Sequence, residues 1–203
     1  METENTETKR TFEKGFEFLQ KWVGFTKFHK FIDQVDIIPF KCPLKTEFDA
    51  HLNEDEHFHF KEVYDFSVAQ KRPITDIIDL TFTDRYYNPQ EEDFAETKVV
   101  HHKFMIPGKQ VPAQELLEPV FDRMDELLQA NKVIGVHCTH GLNRTGYLIC
   151  AYMVQRLGWD AKAAIEAFET ARGRPMEYQE YTDAVLALKR DEKNSAATEE
   201  SSQ

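Results

Sequence analysis

The stretch that most restricts how this chain folds is 132–157, where a short apolar run, KVIGVHC, gives way to the polar loop THGLNR and then to a longer apolar run from Thr145 to Leu157. The first run has the length of a strand and is apolar at almost every position, as a strand buried on both faces must be. The second stays apolar through several turns and stops at Gly158, a residue suited to a helix C-terminus. A buried strand feeding a buried helix through a tight loop belongs at the centre of a sheet covered on both sides. DIIPF (36–40), ITDIIDL (74–80) and TKVVHHKF (97–104) read as further strands. Leu117, Val120, Phe121, Met124, Leu127 and Leu128 mark one apolar helix face after the start signal Pro112. Asp160 can cap a helix running through Ala161, Ile165 and Phe168 to Gly173, Pro175 precedes another in EYQEYTDAVLAL, and Phe60–Ala69 carries a weaker helical pattern. The expected fold class is α/β: a three-layer sandwich whose central, mostly parallel twisted sheet is flanked by helices.

A chain of 203 residues that is 41% hydrophobic can fill one substantial core, so a single domain over 12–189 is expected, with a flexible N-terminal tail (1–11) and a flexible acidic C-terminal tail (190–203). The three cysteines, Cys42, Cys138 and Cys150, form no disulfide framework, and an odd count leaves a thiol free, which suits a reducing compartment. Residues 1–10 are polar, and no run approaches the length of a membrane span. An intracellular protein, nuclear or cytoplasmic, is the expectation. A net charge of -11 argues against a surface that coats nucleic acid or adheres to acidic lipid, while leaving room for one local basic pocket.

The loop HCTHGLNRTG places a cysteine, five residues and then an arginine between the buried strand and the buried helix. Backbone N–H groups of Thr139, His140, Gly141, Leu142, Asn143 and Arg144 can wrap a tetrahedral anion, with the helix contributing its positive end. The same field favours a thiolate at Cys138, the form able to attack phosphorus. Arg144 can bind two phosphoryl oxygens with its planar fork and follow their charge into the transition state. Thr145 can donate its hydroxyl to the sulfur and ease its departure later, and Gly141 and Gly146 relieve crowding where the backbone turns. His137 either orients the loop through a hydrogen bond or is a satisfied buried histidine at a strand end.

The string HCTHGLNRTGYLIC resembles the signature of the RNA 5′-phosphatase branch of the dual-specificity-like cysteine phosphatases. That branch includes the RNA/RNP complex-1-interacting phosphatases, the baculovirus RNA phosphatase and metazoan capping-enzyme triphosphatase domains. IIPFKCPL (37–44), IIDLTFTDRYY (77–87), IPGKQVP (106–112) and ARGRPME (171–177) extend the resemblance over about residues 20–188, and the RYY element inclines it to the RNA/RNP complex-1-interacting type. The resemblance implies removal of the γ and then the β phosphate from 5′-triphosphate-ended RNA, a phosphocysteine intermediate, no cofactor, no stable metal, and protein partners in RNA processing. It also implies that Asp79 sits near the phosphate loop and helps organise Arg144; the alternative is a carboxylate that caps a turn. The pattern lapses at Ala151 and Tyr178, where it has arginine, and at Arg174, where it has histidine, and these changes bear on how the second and third phosphates are bound.

Phosphatases acting on tyrosine or serine esters need a proton donor for a poor leaving group. The loop expected to reach the site, MIPGKQVP, contains no Asp or Glu, which suits a polyphosphate leaving group that is stable as an anion. Lys41, Arg85, Lys109 and Arg174 are candidates for a cationic substrate rim. His57 and His59 flank Phe58 amid acidic residues, but no third ligand is fixed by the sequence, so a solvated connection is expected there rather than a metal site. Trp22, Phe25, Phe28 and Phe31 are read as an N-terminal segment packed over the sheet in preference to a nucleobase wall. The alternatives to RNA-end hydrolysis are a dual-specificity protein or small-molecule phosphomonoesterase and, against the intact Cys138 and Arg144, a noncatalytic phosphate-end binding module.

Overall fold

The computed structural model describes residues 12–89 and 97–189; the tails expected at 1–11 and 190–203 lie outside the described residues. Four strands, β1 (Ile37–Lys41), β2 (Asp76–Asp79), β3 (Val100–Lys103) and β4 (Ile134–Cys138), form one sheet in the order β1-β4-β2-β3. Every pairing is parallel, with Ile37 opposite Ile134 and Asp76 opposite both Ile134 and Val100. All positions of β1, β2 and β4 are buried, which is why their sequences run apolar instead of alternating.

Among the described residues six α-helices cover the faces: α1 (Phe18–Trp22), α2 (Phe60–Ala69), α3 (Gln114–Gln129), α4 (Asn143–Gln155), α5 (Ala161–Arg172) and α6 (Gln179–Leu186). Ile37, Ile78, Ile134 and Val136 join a core with α3 to α6, while Ile38, Phe40 and Ile77 point the other way into a core with Leu19, Trp22 and Phe60. This split, set by the period of two along a strand, produces the expected three layers. Burying one such Ile or Leu contributes about 1.5–3 kcal/mol. Trp22, Phe25 and Phe31 are buried, so the N-terminal aromatic segment packs as core.

Local signals set the helix ends. Asp160 Oδ1 accepts from Lys162 N at 3.0 Å and Ala163 N at 3.1 Å, and Gly173, at φ 73°, closes the same helix in the left-handed region. α4 begins at Asn143, inside the polar loop and before the apolar run, so the loop residues Asn143 and Arg144 form its first turn. Among the described residues no helix is long and apolar enough to cross a membrane.

The connection between β1 and α2, two 3-10 turns at Thr46–His51 and Glu54–Glu56, was not legible as regular structure. The first of these turns brings Asp49 beside His57 and His59, a neighbour the sequence pattern did not fix.

Candidate active site

Parallel order puts the C-terminal residues of the four strands, Lys41, Asp79, Lys103 and Cys138, along one edge of the sheet. A crevice at that edge is where open α/β sheets bind ligands. Here it is a cleft of about 520 Å³ with Cys138, Thr139, His140, Asn143 and Arg144 in its floor.

The loop is held from behind. Gly141 has φ +66°, and a Cβ there would lie 2.0 Å from the Phe40 carbonyl oxygen, so a side chain would drive the loop off β1. Gly146 plays the matching part on α4, where a Cβ would meet Phe168 at 2.6 Å and Met176 at 2.7 Å. Arg172, fully buried, donates Nε–H to the Gly141 carbonyl at 3.0 Å and an Nη2–H to the His140 carbonyl at 3.1 Å. Its other bonds run to Thr26, which ties the N-terminal segment to the loop. Burial lowers this guanidinium only to about 10, so it stays charged and holds both loop carbonyls turned inward. With those carbonyls fixed, the loop N–H groups are free to face the cleft. Leu142 is buried at the N-cap position of α4, and Asn143 Oδ1 accepts from the backbone N–H groups of Glu177 (2.8 Å) and Tyr178 (3.2 Å).

Cys138 is 3% exposed. Burial opposes its ionisation, but the Arg144 charge, the Thr145 hydroxyl and the backbone N–H groups of Thr145 and Gly141 outweigh burial and lower the thiol below its ordinary pKa. Thr145 Oγ1 is buried and makes no well-formed hydrogen bond to any other described group, which leaves it to serve the sulfur. Arg144 donates through Nη1 to the carbonyls of Leu80 (3.0 Å) and Ile106 (2.9 Å) and through Nη2 to Thr139 Oγ1 (3.1 Å). Two carbonyls from separate loops thus fix the plane of the guanidinium before any anion arrives.

Asp79 requires a correction. It makes no ion pair or hydrogen bond with Arg144; instead Oδ1 accepts from Thr81 N–H (2.8 Å) and Thr81 Oγ1 (2.7 Å), and Oδ2 from Lys103 Nζ (2.9 Å). Burial would raise its pKa, but His137, His101, Lys103 and Thr81 hold the carboxyl well below the usual range. Asp79 is therefore an anchor under the loop, and Arg144 meets the following residue, Leu80, by its carbonyl. His137 is buried with Nε2 2.7 Å from the Tyr87 hydroxyl and 3.9 Å from Asp79 Oδ1, and burial, partly offset by Asp79, pushes it down to about 4. It orients the strand end as a neutral ring. His140, also lowered to about 4 chiefly by burial, packs its ring 4.6 Å from that of Phe25.

The rim residues separate. Lys109 lines the cleft, and a Cβ on Gly108 would stand 3.8 Å from the Arg144 guanidinium carbon, so the IPGKQVP loop does lie over the site. Arg85 is exposed and stacks 4.6 Å from Phe18 and 5.1 Å from Tyr86, two walls of the cleft, without lining it itself. Lys41 is a second correction: it is 2% exposed, with Nζ 3.4 Å from the centre of the Trp22 indole and donating to the Phe25 carbonyl at 2.9 Å. The aromatic segment that covers the sheet has captured it, and burial lowers its pKa to about 7. Arg174 is a third, since it donates to the Gly24 carbonyl at 2.8 Å and lies over Phe25, outside the cleft lining. Ala151 is fully buried in the core.

The sequence reading missed Lys21. It lines the cleft beside Tyr178, donating to its hydroxyl at 3.4 Å and pairing with Glu177 at 3.1 Å. A lysine 157 residues away in the chain thus places a cation beside a position where the resembling pattern has arginine. No short-range pattern could have shown this. Phe18, Tyr86, Tyr178 and Tyr181 supply aromatic walls.

A buried cysteine of lowered pKa in the loop between a central strand and a helix, at the edge of a parallel sheet, is the arrangement expected of a cysteine phosphatase, and comparison with known proteins agrees. Residues 50–191 match the dual specificity phosphatase catalytic domain, and the chain belongs to that family. It is similar to a tyrosine-protein phosphatase of Autographa californica nuclear polyhedrosis virus, at 33% identity over 83% of this chain and 99% of that protein. The RNA/RNP complex-1-interacting phosphatase homolog of Caenorhabditis elegans is 37% identical over 85% of this chain and 76% of its own length. The human RNA/RNP complex-1-interacting phosphatase is 38% identical over 81% of this chain, but only 50% of the human protein is matched, so the chain spans about half the length of such mammalian relatives. The crystal structure of Tk-PTP in the active form shares the fold, with a TM-score of 0.53, 23% identity, and coverage of 77% of this chain and 92% of that one.

Proposed function

We propose that this phosphatase removes the γ phosphate, and then the β phosphate, from 5′-triphosphate-ended RNA. The observation that carries the proposal is the cleft lining: among the described residues it contains Lys21, Lys109 and Arg144 but no carboxylate. A phenoxide or alkoxide leaving group needs a proton donor, whereas a polyphosphate leaves as a stable anion and asks for positive charge beside it. The names of the RNA/RNP complex-1-interacting relatives, which associate those proteins with an RNA/RNP complex, support an RNA substrate here.

In this mechanism the Cys138 thiolate attacks the γ phosphorus in line with the β–γ bridging oxygen. The S–P bond forms as the P–O bond breaks, and the bridging oxygen departs with diphosphate-ended RNA. Arg144 and the loop N–H groups hold the equatorial oxygens throughout. Water then attacks the phosphocysteine, the P–S bond breaks with the electrons returning to sulfur, and phosphate leaves; Thr145 stabilises the departing thiolate. Such a substrate places the enzyme in the nucleus or cytoplasm beside RNA-processing proteins, a setting consistent with three free thiols.

A protein phosphotyrosine substrate is the second reading, favoured by the Phe18, Tyr86, Tyr178 and Tyr181 walls, which suit a phenyl ring as well as a nucleobase, and by the name of the baculovirus relative. Specificity constants for triphosphate-ended RNA and a phosphotyrosine peptide, measured side by side, test the choice. The RNA is expected to be favoured by at least about a hundredfold, equivalent to about 2.7 kcal/mol at the transition state; equal constants, or a preference for the peptide, overturn the proposal.

A further inference from the structure

The turn Thr46–His51 brings Asp49 against His57 and His59, so that one ligand atom from each lies within 4.8 Å of the others. Asp49 Oδ2 is 3.1 Å from His59 Nε2 and 3.9 Å from His57 Nδ1. Donors on a tetrahedral zinc ion, at about 2.0–2.1 Å from the metal, stand roughly 3.3 Å apart. The cluster is a small side-chain adjustment from that geometry.

The hydrogen bonding argues for a cation. His59 Nδ1 lies 2.7 Å from the Leu44 carbonyl oxygen, which can only accept, so Nδ1 carries the proton. In a neutral ring Nε2 then presents a lone pair, and it faces a carboxylate oxygen, which also has no proton to give. A cation placed between them would engage both atoms across their 3.1 Å separation. Two more atoms of the cluster, Asp49 Oδ1 and His57 Nε2, are buried and have no hydrogen-bond partner among the described residues. A ring proton on His59 satisfies neither, whereas a metal ion can draw in the second carboxylate oxygen. Among the described residues no hydrogen bond fixes His57 Nε2, so a ring flip can present either nitrogen. A histidine whose far nitrogen is anchored on a backbone carbonyl is the arrangement that orients metal-ligating imidazoles.

We propose that Asp49, His57 and His59 bind one zinc ion, which pins the connection between β1 and α2. Two imidazoles and a carboxylate suit zinc, where magnesium and calcium prefer oxygen donors throughout. The pinned segment carries Phe48, which packs against Phe16 and Phe18 with ring centres 5.6 and 5.5 Å apart, and Phe18 is a wall of the active-site cleft. The site stands apart from Cys138 and does not depend on the substrate proposed above.

The test uses the full chain carrying Cys138→Ser throughout, because a reactive thiolate binds zinc on its own. Chelator-treated protein is dialysed against Zn²⁺, and separately against Co²⁺, whose visible spectrum reports its ligands. One zinc per chain is expected, with cobalt bands of tetrahedral nitrogen and oxygen coordination and no thiolate charge-transfer band. Asp49→Asn and His57→Ala should each weaken zinc binding by about tenfold or more with the far-ultraviolet circular dichroism unchanged. Absence of stoichiometric zinc, a thiolate band in the cobalt protein, or equal affinity in the folded variants overturns the proposal; if the variants fail to fold, the stoichiometry and cobalt spectrum of the Cys138→Ser chain decide it.

Discussion

At Cys138 and Asp79 burial pulls against charge, and in both it loses. Each is less than 4% exposed, which favours the neutral form, yet the groups packed around each hold its pKa down. Arg144 is the largest opposing influence at Cys138, and its Nη1 is already committed to two carbonyls. Lysine has no planar fork to keep those bonds while meeting an anion, so Arg144→Lys should lower kcat by about a hundredfold or more with little change in thermal midpoint. Rapid kinetics beside calorimetry checks this. For Asp79 the effect belongs to stability. A carboxyl with its folded pKa lowered from 3.8 contributes stability that is fully present above that value and is lost as pH falls through the folded one. Asp79→Asn leaves the Lys103 ammonium only the exposed Asp84, at 3.4 Å, as an acidic partner and should cost about 3 kcal/mol at pH 7. Urea titrations should show the gap from wild type narrowing once the pH drops below 3.8.

Among elements, the join of β4 to α4 does most to make the site, and it depends on the backbone of one residue. Gly141→Ala must either hold an alanine at φ +66° with its Cβ against the Phe40 carbonyl or move the loop away from β1. Moving the loop breaks the Arg172 bond to the Gly141 carbonyl, so turnover should fall by at least about a hundredfold while the sheet survives, with a stability loss of about 1–3 kcal/mol. Circular dichroism melts and turnover on one preparation check both. Strands and helices of this kind were legible because their apolar runs answer to one neighbour pattern each, a face covered or a face exposed. The residues misjudged were those whose roles are set by partners far along the chain. Lys41 reads as a basic residue in a rim segment until Trp22 and Phe25 fold over it, and Asp79 reads as a partner for Arg144 until β3 brings Lys103 alongside. Lys21 was invisible for the same reason, since Tyr178 meets it only in the folded chain, whereas Asp49 was hidden although near in sequence because an irregular 3-10 turn brings it to the histidines.

For the whole molecule, a net charge of -11 surrounds a cleft that concentrates Lys21, Lys109 and Arg144. An anion is drawn to one place and repelled elsewhere. The polyphosphate end fits such a field, and a long RNA backbone gains little from it. A triphosphate-ended dinucleotide should therefore be processed within about tenfold of a strand of about twenty nucleotides, a difference of less than about 1.4 kcal/mol, with a shallow dependence on salt. A larger advantage for the long strand that vanishes at high salt would reveal an extended track for RNA.

The most direct test of the account follows the phosphate itself. Triphosphate-ended RNA labelled in its γ phosphate is mixed with excess enzyme and quenched in acid at millisecond intervals, and the protein is digested to locate the label. A transient of γ phosphate bound to Cys138 is expected, forming as diphosphate-ended RNA appears and decaying as free phosphate is released, with no label and no turnover in Cys138→Ser. Free phosphate released at the normal rate with no label ever reaching Cys138, or turnover retained in Cys138→Ser, would contradict it.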